Sequence, residues 1–274
     1  MNVALIHRNQ PAAVEAATRV DAYLRDKGIE ACIIDASATD SSQVRPDLII
    51  ALGGDGTLLR AFHLFEHALA PLIGINFGKM GFLSGATSDD LLQAIDYALA
   101  DDAHKEARTL LEVTIRAHDG RELASARALN DVVIARRQNA RVIETSLAIN
   151  GHDIYTLRGD GLIVATATGS TAYALSAGGP VVSPGYGGMV IVPLASHTLV
   201  QRALVTAPDD TVEVSLSHEG EVEVMLSVDG RPLEVESAEV CSVEVKKSSQ
   251  MLELIKLDSR LFYDTVAQHF FTGE

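Results

Sequence analysis

At 274 residues the chain can bury a substantial core, and 47% hydrophobic against 22% charged residues is the balance of a globular protein, which excludes long disorder. A formal net charge of -15, from 37 acidic against 22 basic residues, excludes a broad electrostatic grip on nucleic acid or anionic lipid, so an anionic ligand has to be held locally by glycine loops, helix starts and single arginines. The two cysteines, Cys32 and Cys241, follow no paired spacing and read as reduced, packed hydrophobes; no apolar run reaches the roughly 18 residues of a membrane span and MNVALIHRNQ has no signal-type core, so a cytoplasmic location is expected.

NVALIH reads as a strand. Pro11 then opens a helix where its missing N–H does no harm, with Val14, Ala17, Val20 and Leu24 on one face until Gly28 ends it. IEACIID is the next strand, and after Pro46 the continuously apolar run Leu48 to Leu52 is a strand covered on both faces, ending in GGDGT. Leu58 to Ala68 has helical spacing, PLIGI is a buried strand, and Ser88 to Asp101 is a helix. Short apolar strands alternating with helices predict a parallel sheet with crossover helices.

From about Thr109 the period changes from 3.6 to 2, in LEVTIRA, DVVIA, TSLAI, VEVSLS, EVEVMLSV and EVCSVEV. Asp119-Gly120, Asn150-Gly151 and Asp229-Gly230 are the expected hairpin turns of this antiparallel region. LFYDTVAQHFF has helical spacing and is expected to return to the first domain. The predicted fold is thus an α/β Rossmann-like domain, residues 1–108 with 257–274 packing back, followed by an all-β, sandwich-like domain, residues 109–256.

Gly53-Gly54-Asp55-Gly56-Thr57 stands between a buried strand and a helix, where ligands of open α/β sheets bind and where glycines let backbone N–H groups approach a phosphate. The spacing is neither G-x-G-x-x-G nor the Walker pattern. A carboxylate placed among phosphate-cradling amides should repel phosphates unless it handles a proton or a metal, which makes Asp55 the catalytic candidate over an ordinary Asp-Gly turn. Asp160-Gly161-LIVATA-Thr168-Gly-Ser-Thr171-Ala172-Tyr173-Ala174-Leu175-Ser176 runs from a strand into small hydroxyl residues and a helix start, offering donors and acceptors without bulk. It is no nucleophile elbow, since no G-x-S-x-G surrounds Ser170 or Ser176.

These two segments together resemble the NAD kinase family, whose marks are GGDGT and a later D-G-x-x-x-x-T-x-T/S-G-S-T-A-Y. GINFGKMGFL, Asn130-Asp131, SAGGP at 176–180 and the Asp229-Gly230 hairpin extend the resemblance over most of the chain. It implies transfer of the terminal phosphoryl of ATP, carried with Mg2+ or another divalent cation, to the 2'-hydroxyl of the adenosine ribose of NAD. Asp55 is then the proton acceptor, with Gly56 and Arg60 beside the dinucleotide and Gly53, Gly54, Gly56 and Thr57 as the phosphate loop. Asn130 and Asp131 match the pair that holds ribose hydroxyls, and Arg158 and Asp160 match positions near the phosphates and a base. Thr168 and Thr171 to Ser176 match the NAD-contacting segment, while Arg141, Ala195 and Arg231 match weaker contacts. The family also implies a homodimer or homotetramer. Asp131 replaces the usual glutamate, Ala167 a usual proline and Arg231 a frequent amide; none of these removes a required group.

Two rival readings share parts of this pattern. GGDGT also occurs in lipid and sugar kinases, against which the hydroxyl-rich 166–176 segment weighs, and a dinucleotide sensor without catalysis would keep the binding motifs. His63 and His67, four apart on a helix, lack the glutamate of H-E-x-x-H and are not expected to hold a metal. Arg136 and Arg137 read as solvated loop arginines, Glu221 and Glu223 as the wet face of a sheet, and Tyr173 as either a stacking ring or a core tyrosine.

Overall fold

Every residue of Leu48–Leu52 and of Leu72–Asn76 is buried, as in strands covered on both faces. Both belong to the first of two units into which the chain divides, Met1–Arg108 with Leu252–Glu274, the second being Thr109–Met251. The computed structural model describes residues 1–39, 41, 43–78, 81–137, 141–195, 202–217, 223–257 and 262–271.

The first unit contains β1 (Asn2–His7), α1 (Pro11–Asp26), β2 (Glu30–Asp35), β3 (Leu48–Leu52), α2 (Asp55–Leu64), β4 (Leu72–Asn76), β5 (Ala86–Thr87) and α3 (Leu91–Leu99). Its strands run parallel in the order β2-β1-β3-β4, with Leu254 beside Leu72 on the far side of β4. Because β1 is followed in sequence by a neighbour on one side and later by β3 on the other, the strand order reverses between β1 and β3. The carboxyl ends of those two strands are where open α/β sheets bind ligands, and GGDGT follows β3 there. α1 buries Ala13, Ala16, Ala17, Val20 and Leu24 against this sheet, and Gly28, with φ of 73°, ends it in the left-handed conformation that suits glycine.

The second unit contains β6 (Lys105–Ala117, its first residues lying in the first unit), β7 (Glu122–Ala128), β8 (Asp131–Arg136), β9 (Ile143–Ile149), β10 (His152–Gly159), β11 (Gly161–Ala165), the one-turn helix α4 (Tyr173–Ser176), β12 (Val190–Leu194), β13 (Leu204–Val205), β14 (Thr211–Leu216), β15 (Val224–Val228), β16 (Arg231–Pro232) and β17 (Val240–Ile255, whose end Leu252–Ile255 belongs to the first unit). One antiparallel sheet is ordered β13-β12-β11-β8-β15-β16; the other places β14 between β9 and β17, with β10 outside β9 and β6 joining β17 to β7. Val132 and Ile134 from the first sheet and Leu147, Val214 and Val243 from the second meet in one core, which is the sandwich expected. On the other face Val133, Ile163 and Ala165 pack with Ala174, so β11 is buried on both sides and reads as a continuous apolar run. A helix, α5 (Phe262–Phe270), follows in the C-terminal segment of the first unit.

Several local expectations are corrected. α2 starts at Asp55, three residues before the predicted Leu58, because Gly54 already occupies the extended cap position. The predicted helix over 88–101 is a 3-10 turn, Ser88–Asp90, leading into α3. Val14 is exposed and not on the packed face of α1, whereas Ala13 and Ala16 are buried. Cys32 is exposed because β2 is the outer strand of its sheet; Cys241 is half-buried, and both are free thiols. Asn150-Gly151 and Asp229-Gly230 have φ of 53°, 75°, 49° and 75°, as two-residue hairpins need, but at 119–120 only Gly120 has positive φ and the turn is longer. Among the described residues no helix is long and apolar enough to cross a membrane. Lys79, Met80, Glu221 and Leu261, parts of motifs read from the sequence, lie outside the described residues.

Candidate active site

The run Leu48–Leu52 carries the chain to the end of β3, and the loop that follows is built by its glycines in two different ways. A Cβ on Gly53 would come within 2.8 Å of the Thr57 Cβ, so the fold itself requires glycine there. At Gly54 and Gly56 a Cβ would meet nothing within 4 Å and neither has positive φ. Packing does not ask for those two glycines, which leaves open space along the start of α2 where a ligand can approach the backbone. The first-turn N–H groups of a helix have no partner within it and carry the positive end of its dipole.

Asp55 is the first residue of that helix. Its carboxylate accepts from the Phe82 N–H at 2.9 Å, from the Leu83 N–H at 3.3 Å and from the Ser84 hydroxyl at 3.1 Å. A Cβ on Gly81 would fall on the Asp55 carboxylate, so glycine at 81 makes room for it. Arg108, almost fully buried, pairs with Glu106 at 2.5 Å; burial pulls its pKa down, while Glu106 and then the Asp55 charge oppose that. Its Nε is buried without a partner. Arg60, four residues along α2 from Gly56, donates to the carbonyls of Ala36, at 2.7 Å, and Ala38, and so ties α2 to the chain beyond β2.

In the second unit Asn130 and Asp131 lie where β8 begins, and two elements distant in sequence hold them. The Asp229 carboxylate accepts from the N–H groups of Leu129 at 2.9 Å, Asn130 at 2.7 Å and Asp131 at 3.0 Å. From the hydroxyl-rich segment, Thr166 donates its N–H to the Asn130 carbonyl at 2.8 Å and its hydroxyl to the Leu129 carbonyl at 2.6 Å. A Cβ on Gly169 would come within 2.8 Å of the Asn130 Cα, so this turn lies directly against Asn130. The Asn130 Oδ1 is buried and has no partner. Burial, with the Asp229 charge as a second cause, pushes the Asp131 carboxyl up to about 7. The pair therefore presents an unused acceptor and a carboxyl that can donate or accept near neutrality.

Of the remaining predicted positions, Thr168 is buried, the Thr171 hydroxyl donates to the Thr168 carbonyl, and Tyr173 is 47% exposed, which removes the core-tyrosine reading. Ala174 is buried among β11 and β12, so its role is packing, while Ala172, Leu175 and Ser176 are half-buried or exposed around it. Asp160 pairs with the Arg136 Nε at 2.5 Å, so Arg136 is not merely solvated. Arg158 faces Glu144 at 3.8 Å; Arg141 and Arg231 are exposed. Ala195 has φ of 43°, an unusual conformation for alanine. His63 pairs with Glu66 at 3.6 Å and His67 meets the Val44 carbonyl, so the two histidines serve different partners.

Sequence reasoning takes Asp229 only as a turn residue and Gly81 only as a loop glycine, and passes over Ser84 and Arg108 altogether. A turn Asp with an acceptor side chain was the one available signal. Among the described residues no three His, Cys, Asp or Glu side chains stand together as a metal cage. A divalent ion that arrives on phosphates takes most of its oxygens from them and from water, and Asp55 is the carboxylate at the glycine loop that could complete its shell.

Family models of the ATP-NAD kinase N-terminal domain match residues 9–103 and of the ATP-NAD kinase C-terminal domain residues 129–257. The NAD kinase of Heliobacterium modesticaldum is 36% identical over 273 residues, covering 94% of each chain, and that of Nitrosomonas europaea 39% identical over 236 residues, covering 81% of this chain and 79% of the relative. A crystal structure of an Archaeoglobus fulgidus NAD kinase in complex with ATP superposes with a TM-score of 0.79 at 25% identity over 98% of both chains. Yeast NADH kinase complexed with NADH shares the fold, with a TM-score of 0.87 at 21% identity over 100% of this chain and 89% of the other.

Proposed function

We propose a mechanism from the premise that the chain belongs to the ATP-NAD kinase family and is an NAD kinase, transferring the terminal phosphoryl of ATP to the 2'-hydroxyl of the adenosine ribose of NAD. The observation that carries it is Asp55: a carboxylate at the first residue of α2, held by the Phe82–Ser84 segment and flanked by two glycines that packing does not require. In our reading Asp55 takes the proton of the 2'-hydroxyl, the hydroxyl oxygen bonds to the terminal phosphorus, and the bond to the β-phosphate breaks to release ADP. Gly54 and Gly56 give the phosphates backbone N–H groups, whereas the N–H groups of Gly53 and Thr57 are taken by the carbonyls of Ile75 and Gly54. Mg2+ or another divalent cation, arriving with ATP, supplies neutralisation of the phosphate charge.

Asn130 and Asp131 hold ribose hydroxyls: the buried, partnerless Oδ1 of Asn130 suits a hydroxyl donor, and Asp131 can serve in either protonation state. Tyr173, exposed as a ring with a polar tip, is proposed to stack on a base, with Thr168, Thr171 and Ser176 as polar neighbours. Arg60, already bound to the Ala36 and Ala38 carbonyls, acts on the dinucleotide through the placement of α2. Arg158 and Asp160 are assigned positions near the phosphates and a base, and Arg141, Ala195 and Arg231 weaker contacts. We place the protein in the cytoplasm, to which two free thiols are suited, and expect a homodimer or homotetramer.

The decisive experiment replaces Asp55 with Asn and follows NADP formation from NAD and ATP in an enzyme-coupled assay. Turnover should fall by about three orders of magnitude with NAD affinity retained; normal turnover sinks the assignment. The wild-type protein offered a sphingoid base or diacylglycerol with labelled ATP should label neither.

A further inference from the structure

Lys256 follows β17 directly, at the far end of the sequence from the glycine loop, yet within the same unit. Its ammonium donates to three successive carbonyls, those of Phe82 at 3.2 Å, Leu83 at 2.9 Å and Ser84 at 2.7 Å. These are the residues whose N–H groups and hydroxyl donate to Asp55. The two charges therefore grip one short strap from opposite sides. The peptide unit joining Phe82 to Leu83 belongs to both grips, since its C=O accepts from Lys256 while its N–H donates to Asp55. A cation on the oxygen of a peptide draws electron density from its nitrogen and makes the N–H a stronger donor.

The surroundings leave the strap little freedom. Leu257 donates its N–H to the Gly85 carbonyl at 3.0 Å, and a Cβ on Gly85 would come within 3.3 Å of the Ile255 carbonyl carbon. The Phe82 ring lies 6.0 Å from the rings of both Phe262 and Phe270 on α5. Gly81, just before the strap, has no side chain to displace Asp55.

We infer that Lys256 is a positioning residue for the phosphoryl transfer, fixing the orientation of the Asp55 carboxylate through the Phe82–Ser84 backbone. The inference rests on Asp55 being the proton acceptor. Lys256 hydrogen-bonds the strap carbonyls, so its effect through the strap falls on turnover and not on substrate affinity.

The test measures kcat and KM for NAD, with thermal melting, for full-length wild type, Lys256→Met and Lys256→Arg. Lys256→Met should lower kcat at least tenfold with KM for NAD within threefold, and Lys256→Arg, which can still donate to carbonyls, should recover part of the loss. If Lys256→Met does not fold, Lys256→Gln, which keeps an N–H donor without the charge, is judged by the same figures. A kcat within twofold of wild type, an effect confined to KM, or a failure of both neutral variants to fold overturns the proposal. Asp55→Asn, measured alongside, separates the two ideas: normal turnover there removes the assignment of Asp55 itself, whereas a crippled Asp55→Asn beside a normal Lys256→Met removes only the role of Lys256.

Discussion

Asp55 and Asp131 are the same side chain in opposite surroundings. Asp55 is half-buried at a helix start, and its two oxygens accept from two backbone amides and a hydroxyl. Asp131 is 4% exposed, with a second carboxylate, Asp229, acting on it. Asp229 takes the backbone donors beside Asp131, including the N–H of Asp131 itself. One aspartate is aimed by the donors on its oxygens; the other is pushed by burial toward its neutral form. Which neighbour owns the amides decides the chemistry each can do.

Breaking the contrast at Asp55 should have the largest effect, since Asp55→Asn removes the proton acceptor and is expected to cost about three orders of magnitude in kcat, roughly 4 kcal/mol of transition-state stabilisation. At Asp131 the sign runs the other way for stability. A carboxyl whose pKa rises on folding, here from 3.8 to about 7, holds a proton in the folded state that the unfolded chain has lost, so stability falls as pH rises from about 4 to about 7 and then levels. Asp131→Asn should flatten that slope, and at pH 8 it should recover up to about 4 kcal/mol of the penalty, as read from urea unfolding across pH. A slope unchanged in the variant removes Asp131 from the account.

Asp229→Ala sharpens the comparison from the other side by stripping the acceptor from three backbone N–H groups. It should destabilise the protein by about 2–4 kcal/mol, seen as a lower Tm, and raise KM for NAD through disorder at Asn130 and Asp131. The smallest effect is expected from Gly81→Ala. Its Cβ would displace the Asp55 carboxylate, and a kcat about tenfold lower with NAD affinity retained is the result to look for; a kcat equal to wild type means the strap can shift without consequence.

What could be read from the residues alone follows the same divide between near and far. β3 and the GGDGT loop are contiguous, so a buried apolar run leading into glycines was enough to place the candidate base at a strand end. The three-residue error in the start of α2 arose because Gly54 was assigned to a loop when it serves as the cap. β7, ELASARA, was not predicted because it has one large apolar residue and packs mainly by small ones. β12 contains Pro193, which is tolerated because β13 pairs only with Val190 and Ile191, so among the described residues no strand partner on that side needs its missing N–H. Asp229 and Lys256 could not be found by local pattern at all: one reaches residues about a hundred positions away, the other more than 170. Nothing in an Asp-Gly turn or in a lysine after a strand announces such a partner.

The first unit is discontinuous, made of the first 108 residues and of those after Met251. During synthesis its opening strands leave the ribosome long before the segment bearing Lys256 and the β17 residue Leu254. Until that segment arrives, Leu72 on β4 has Ile49 as a parallel neighbour but lacks Leu254, and the strap over Asp55 lacks its cation. The nascent chain thus carries its acidic group early but cannot orient it until the segment bearing Lys256 has been made, and any truncation ahead of residue 256 should leave that orientation unmade.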